Sequence, residues 1–150
     1  MAGRFTAEVS EVIARSKGLM KAVRVDAAQE TVAIMQRQGP SKKNPGGGDG
    51  GAMPVDTGFL RSSLVASVGT DLPVGRRAPE GVEAFAWSDA DVNLTIQGAD
   101  IETPITAAYS AIYARKQEMN YGFVRLAAQR WPQTVAASVA KAESLVPPAG

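Results

Sequence analysis

The chain has 150 residues, 45% of them hydrophobic and 21% charged, which suits one compact domain and is too short for two ordinary ones. It contains no cysteine and no histidine, so disulfides, thiolate zinc sites and nucleophile–histidine catalytic systems are excluded. Sixteen basic and fifteen acidic residues leave a net charge of +1, which does not favour nucleic acid or an anionic membrane as partner. Without an apolar run of about 20 residues or a signal-peptide core, we expect a soluble protein made in the cytoplasm.

The spacing of apolar residues over 5–37 predicts one long helix, or two in line. They recur at three- and four-residue intervals, as Phe5, Val9, Val12, Ile13, Leu19, Met20, Val23, Ala27 and Ile34. Such a helix would be about 50 Å long, which exceeds the width of a small domain. It could serve as a packing helix of the core. Because one small core cannot cover so long a stripe, we also expect its distal half to pack on another subunit.

Residues 39–54 form a low-complexity segment with six glycines and three prolines. This composition predicts a flexible arm, which Lys42 and Lys43 keep solvated. Its glycine run lacks the Gly-Lys-Ser/Thr ending of a phosphate-binding loop. The arm could become ordered against a neighbouring molecule.

The next segment changes from helical to strand periodicity. Asp56 or Thr57 is placed to cap a short helix whose Phe59, Leu60 and Leu64 face the core while Arg61 lies outside. Alternation then predicts strands from Leu64, at Val82–Trp87 and at Val92–Gln97, the last two joined by a hairpin turn at residues 88–91.

The last third is helical in composition. Thr103-Pro104 resembles a helix start, and apolar spacing continues from Ile105 to Ile112, although a strand or extended turn is an alternative around residues 109–118. Gly122 could mark a break, Pro132 should kink or divide the final helix, and Trp131 should anchor the core. We therefore predict an α+β fold in which a long N-terminal helix precedes a three- to four-stranded antiparallel sheet with C-terminal helices packed on it.

Few residues suggest chemistry. Asp89, Asp91, Asp100 and Glu102 lie near predicted strand ends and are the one acidic group worth testing, but turns are often rich in aspartate. No catalytic, cofactor-binding or metal site is therefore predicted. Arg76-Arg77 is either a solvated charge pair or a contact with an acidic protein surface or passing DNA.

Two stretches resemble a known family. Residues 54–63, PVDTGFLRSS, resemble the P-x-D-T-G-x-L-R-x-S signature of the neck and tail-completion proteins of long-tailed bacteriophages, the HK97 gp10-like family. Ala108-Tyr109 and residues 113–131 are similar to the "YA…QE…G…F(V/L)R.A…W" tail of that family. The matching residues, which the resemblance implies are structural, are Asp56, Thr57, Gly58, Leu60, Arg61, Ser63, Tyr113, Glu118, Phe123 and Trp131.

The resemblance implies a virion protein that does no chemistry and forms a ring at the head–tail junction, as a hexamer or dodecamer. Its partners would be further copies of itself, a connector, adaptor or head-completion protein, and the tail terminator or tail tube, with DNA at most passing through the lumen and no membrane. Its alternative position is a terminator ring capping the tube. The residues that could form interfaces are Phe5, Val9, Val12, Lys42, Lys43, Arg76 and Arg77.

Two other classes of function remain. A non-viral adaptor module would present the apolar stripe of the first helix to a partner groove. A small hydrolase or metal-dependent enzyme would depend on Asp89 and Asp91.

Overall fold

One unbroken helix, α1, spans Ala2–Gln36, as the apolar periodicity predicts. The computed structural model describes residues 2–43 and 45–146. The remaining elements, in chain order, are α2 (Phe59–Ser62), β1 (Leu64–Val68), α3 (Ala90–Gly98), β2 (Ile105–Tyr109), α4 (Ala114–Tyr121), α5 (Phe123–Gln129) and α6 (Trp131–Leu145). The fold is therefore α+β, with a long N-terminal helix and helices at the C-terminal end.

The sheet has two antiparallel strands within the described residues, and not the three or four predicted. Strands β1 and β2 pair with Leu64 opposite Tyr109 and Val68 opposite Ile105. The predicted strand at Val92–Gln97 is helix α3, and the predicted hairpin turn leads into its first turn. Val92 and Ile96 lie four residues apart and are both buried on one helical face, whereas Leu94 is 65% exposed.

The other two differences in secondary structure also have local causes. Val82–Trp87 forms neither a helix nor a strand, and its Phe85 N–H donates to the carbonyl of Thr57, which is not part of a strand. Ile105–Tyr109 is strand β2 and not a helix, because the exposed edge of β1 takes it as a partner. The alternative of extended chain is confirmed up to Ala111, before α4 begins at Ala114.

Two hydrophobic clusters hold the body together. The first joins the C-terminal half of α1 to the sheet, α3 and α5, and its buried members are Val32, Met35, Leu64, Val92, Ile96 and Ala127. The second lies around α2 and contains Met53, Phe59, Leu60, Ala111 and Phe123. Burial of Phe59, Leu60 and Leu64 is thus confirmed.

The C-terminal helices pack differently from the prediction. Helix α3 packs on β1, whereas α5 and α6 pack mainly on α1. Helix α6 runs back along α1, and the Ser138 hydroxyl and Lys141 ammonium both donate to the Asp26 carboxylate, at 2.8 and 2.6 Å. The predicted breaks are confirmed, since Gly122 separates α4 from α5 in a left-handed conformation and Pro132 lies in the first turn of α6.

Replacing Leu60 by aspartate should unfold the domain. Leu60 is 5% exposed in the second cluster, so an unpaired carboxylate there should cost at least about 4 kcal/mol of unfolding free energy. The matched control is Leu94→Asp on the exposed face of α3, which we expect to change stability by about 0.5 kcal/mol or less. Urea denaturation followed by circular dichroism measures both, and a folded Leu60→Asp variant would contradict the placement of α2.

The contact between α1 and α6 should depend on pH. Hydrogen bonds from Lys141 and Ser138 hold the pKa of Asp26 below its usual value, so its stabilisation is complete above about pH 4 and is lost as the pH falls through the acidic range. Because a third of the side chain is exposed, Asp26→Asn should cost less than about 1 kcal/mol at pH 7. In acid, the stability of the Asp26→Asn variant should converge with that of the unmodified protein. Asp71→Asn, in an exposed loop, is the control; a difference at pH 7 that persists in acid would contradict the ion pair.

Candidate interaction surfaces

The N-terminal half of α1 extends away from the body. All residues from Gly3 to Ala22 are exposed, whereas burial begins at Val23 and is complete at Ala27. Helix α6 covers α1 only as far as the neighbourhood of Gly18, which lines one cavity together with Leu145. We call residues 3–22 the arm, and we call the predicted flexible segment at residues 39–54 the glycine-rich segment. The expectation that one small core cannot cover the whole stripe is confirmed.

The arm presents a continuous apolar stripe. Phe5 is 70% exposed and Val12 61%, and the stripe also includes Val9, Ile13, Leu19 and Met20. At its tip, four of these side chains and Glu8 surround a shallow cavity of about 240 Å³. The flank carries two exposed ion pairs, Arg4–Glu8 and Glu11–Arg15, both at 3.3 Å, which stabilise the helix only slightly. Unpaired apolar surface of this extent on a helix typically marks an interface.

The first sequence motif turns sharply into α2. Gly58 occupies the N-cap position with φ +87°, and a Cβ there would lie 2.7 Å from the Phe85 carbonyl oxygen, so glycine is required. Neither Asp56 nor Thr57 is the N-cap residue. Thr57 accepts a hydrogen bond from the Phe59 N–H at 3.3 Å, and Asp56 pairs with the Lys43 ammonium at 2.6 Å.

The sequence analysis predicted that Arg61 lies outside the domain, but the structure shows that this residue is half-buried. Its guanidinium lies 3.6 Å from the centre of the Trp87 ring, and its Nε is buried without a hydrogen-bond partner among the described residues. Burial lowers the pKa of Arg61, while Asp49 and Asp89 partly oppose this shift. The side chain thus holds the segment around Trp87 against α2.

A buried amide at the end of α1 joins four parts of the fold. The Gln36 side chain donates to the Asp89 carboxylate at 2.9 Å and to the Arg61 carbonyl at 3.1 Å. Its oxygen accepts the Tyr109 hydroxyl at 2.8 Å. Burial raises the pKa of Tyr109, which keeps this donor protonated. The sequence analysis missed Gln36, because no motif or spacing marks a single amide whose partners are distant in sequence.

The two sequence motifs meet in the second cluster, which contains Phe59 and Phe123. The Ser63 carbonyl accepts hydrogen bonds from the N–H and the hydroxyl of Ser110, at 2.9 and 2.8 Å. Phe123 packs edge-to-face on Tyr109 at 5.1 Å. The Glu118 carboxylate accepts the Val124 and Arg125 N–H groups, at 2.8 and 2.9 Å, and so satisfies the first turn of α5. These side chains therefore hold the body together.

An open cleft of about 440 Å³ lies beside α2, and we call it the aromatic cleft. Its walls are formed chiefly by Val55, Phe59, Tyr113, Gln117 and Tyr121, with Lys42, Lys43 and Asp56 at the rim. Val55 and Gln117 lie within the two matching stretches but were not named as site residues, and Tyr121 was not singled out from the sequence. The four-residue spacing of Tyr113, Gln117 and Tyr121, which places them on one face around α4, is the signal that could have found them.

The glycine-rich segment folds back on the end of α1. The Gly39 N–H donates to the Met53 carbonyl at 2.8 Å, and the Met53 N–H to the Arg37 carbonyl at 3.1 Å. The Asp49 and Gly51 N–H groups both donate to the Gln38 carbonyl. Met53 is fully buried. These contacts place Lys42 and Lys43 at the rim of the aromatic cleft.

Arg76 and Arg77 differ in their contacts. The Arg76 backbone bonds to the Ser110 carbonyl and the Ile112 N–H, at 2.7 and 2.9 Å, and its guanidinium lies 5.6 Å from the Phe59 ring. Arg77 is exposed. Arg76 therefore stabilises the loop on the second cluster.

The four candidate carboxylates serve separate local purposes or face solvent. Asp89 accepts from Gln36. Asp100 accepts the Thr103 hydroxyl and the N–H groups of Glu102 and Thr103, and these bonds lower its pKa. Asp91 and Glu102 are exposed. Across residues 2–43 and 45–146, no group of three or more acidic side chains is arranged to hold a metal ion.

No protein-family model matches the chain, and neither the search of curated proteins nor that of solved structures found a significant match. Within the part of the chain that the structure describes, no helix combines the length and the apolarity needed to span a bilayer.

Trp131 is 43% exposed at the start of α6, so the prediction that it anchors the core is wrong. Trp131→Ala should therefore cost less than about 1 kcal/mol, whereas Phe123→Ala, at a residue 1% exposed, should cost about 3–5 kcal/mol. Urea denaturation of both variants under one buffer condition provides the comparison. Equal losses would contradict the exposed position of Trp131.

Proposed function

We propose that the protein is a structural component of a tailed-bacteriophage virion. It forms a homo-oligomeric ring, a hexamer or dodecamer, at the head–tail junction and joins the connector to the tail tube. Its partners are other copies of the chain, the connector or head-completion protein, and the terminator or tube protein. Genomic DNA at most passes through the lumen, because a net charge near zero does not favour binding it.

The observation that carries this proposal is the uncovered arm. A helical face with Phe5, Val12 and Met20 at least 59% exposed is costly to leave in water, and association with further copies removes it. The resemblance of residues 54–63 and 113–131 to phage neck proteins supports the virion as its place of action. The two stretches pack together in the second cluster through Phe59, Leu60 and Phe123, and so form the body that a ring subunit needs.

Self-assembly can be tested with the full-length chain. We expect mass photometry at micromolar concentration to give a hexamer or dodecamer, and two-dimensional electron-microscopy averages to show a closed ring. Val9→Asp combined with Val12→Asp should leave the fold intact, because both side chains are exposed, and should shift the mass distribution to monomer.

The matched control is Val74→Asp, at a residue 84% exposed in the loop after β1, which should still assemble. A chain that stays monomeric and binds neither connector nor tail-tube protein would contradict the proposal. Capture of the arm by a host protein in uninfected cells would favour the adaptor function instead.

A further inference from the structure

Part of the glycine-rich segment closes on the end of α1 through its backbone. We call residues 37–39 and 48–53 the clasp. Gln38 and Met53 form a parallel bridge, and the Gln38 carbonyl accepts the N–H groups of Asp49 and Gly51, at 2.9 and 3.2 Å. Backbone bonds therefore return the chain to α1 before the first sequence motif begins.

Two glycines of the clasp lie where no side chain fits. A Cβ on Gly51 would lie 2.0 Å from the Arg37 carbonyl oxygen, and a Cβ on Gly39 would lie 2.5 Å from the Gly51 carbonyl oxygen. Both distances are shorter than a van der Waals contact, and the atoms met belong to the backbone, which cannot turn aside. A Cβ on Gly46, in the same glycine run, would meet nothing within 4 Å. The closed clasp therefore requires glycine at 39 and 51 but not at 46.

The clasp covers part of the hydrophobic interior. Met53 is fully buried in the second cluster, which also contains Phe59 and Phe123. A cavity of about 50 Å³ lies between residues 50–52 of the clasp and the side chains of Phe123 and Leu126 on α5. The clasp is thus a strap over this cavity, and Met53 is the side chain that anchors it.

Few interactions hold the clasp closed against the conformational freedom that it restricts. The glycine-rich segment has six glycines, and glycine loses more backbone freedom on ordering than any other residue. Four backbone hydrogen bonds among the clasp residues and the burial of Met53 oppose this loss. A segment with so few contacts opens at a lower free energy than the whole fold.

We propose that the clasp is a lid that opens and closes as one unit while the rest of the fold stays intact. Opening breaks its four backbone bonds together, withdraws Met53 from the second cluster and admits solvent to the cavity beside Phe123. The lid is a property of the single chain, so it does not depend on assembly into a ring.

Hydrogen–deuterium exchange of the full-length chain tests the lid, with electron-transfer fragmentation to resolve single amides. We expect the amides of Gly39, Asp49, Gly51 and Met53 to share one protection factor. After correction for intrinsic rates, they should exchange at least about tenfold faster than the Val32 amide inside α1. Four unprotected amides, or four unequal protection factors, would overturn the lid. Exchange as slow as that of Val32 would also overturn it, because the clasp would then open only with the whole fold.

Two matched glycine variants test the close approach. Gly51→Ala should speed exchange at Gly39 and Met53 at least about tenfold and leave Val32 unchanged, whereas Gly46→Ala should change all three by about twofold or less. Equal effects of the two substitutions would contradict the requirement for glycine at 51. Loss of the helical circular dichroism signal in Gly51→Ala would overturn the lid, since the clasp would then be inseparable from the fold.

Discussion

The hydrogen bonds of the buried Gln36 side chain set the relative positions of α1, the motif turn, α3 and β2. Gln36 ends α1, and its side chain holds the carbonyl of Arg61, the carboxylate of Asp89 and the hydroxyl of Tyr109. Those three partners belong to the motif turn, the start of α3 and the end of β2. A buried polar group that lost its partners would cost about 1–3 kcal/mol each, so the four segments favour one mutual arrangement.

The opposite end of the same helix has no such constraint. The hydrogen bonds that tie the body to α1 nearest the arm run from Lys141 to Asp26 and from the Arg24 guanidinium to the carbonyls of Asp100 and Thr103. On the N-terminal side of these bonds, twenty residues of the helix, from Gly3 to Ala22, are exposed to solvent. The molecule is therefore a compact body with one helix that projects from it, and the ring that we propose depends on this asymmetry.

Features set by local pattern could be predicted from the sequence, and those set by distant partners could not. The periodicity from Phe5 to Ile34 predicted α1, and glycine and proline predicted the breaks at Gly122 and Pro132. Val92, Leu94 and Ile96 satisfy strand alternation, but Val92 and Ile96 also satisfy helical spacing, and burial against α1 and β1 favours the helix. Thr103-Pro104 resembles a helix start, yet pairing with β1 makes the next residues a strand. Neither the Gln36 contacts nor the cleft had a local signal of comparable strength.

Because the arm projects from the body and its residues are exposed, the helical order of the arm and its binding to a partner depend on each other. A single helix of about 20 residues is only marginally stable in water, and here the body stabilises it from one end alone. Fraying therefore begins at the tip, where Phe5 lies, and recovering full helicity reduces the free energy gained when the tip meets a partner. Such coupling weakens each single contact, whereas the ring that we propose would hold every subunit twice and so keep its cooperativity. In that proposal, pairing of two copies is disfavoured relative to a completed assembly.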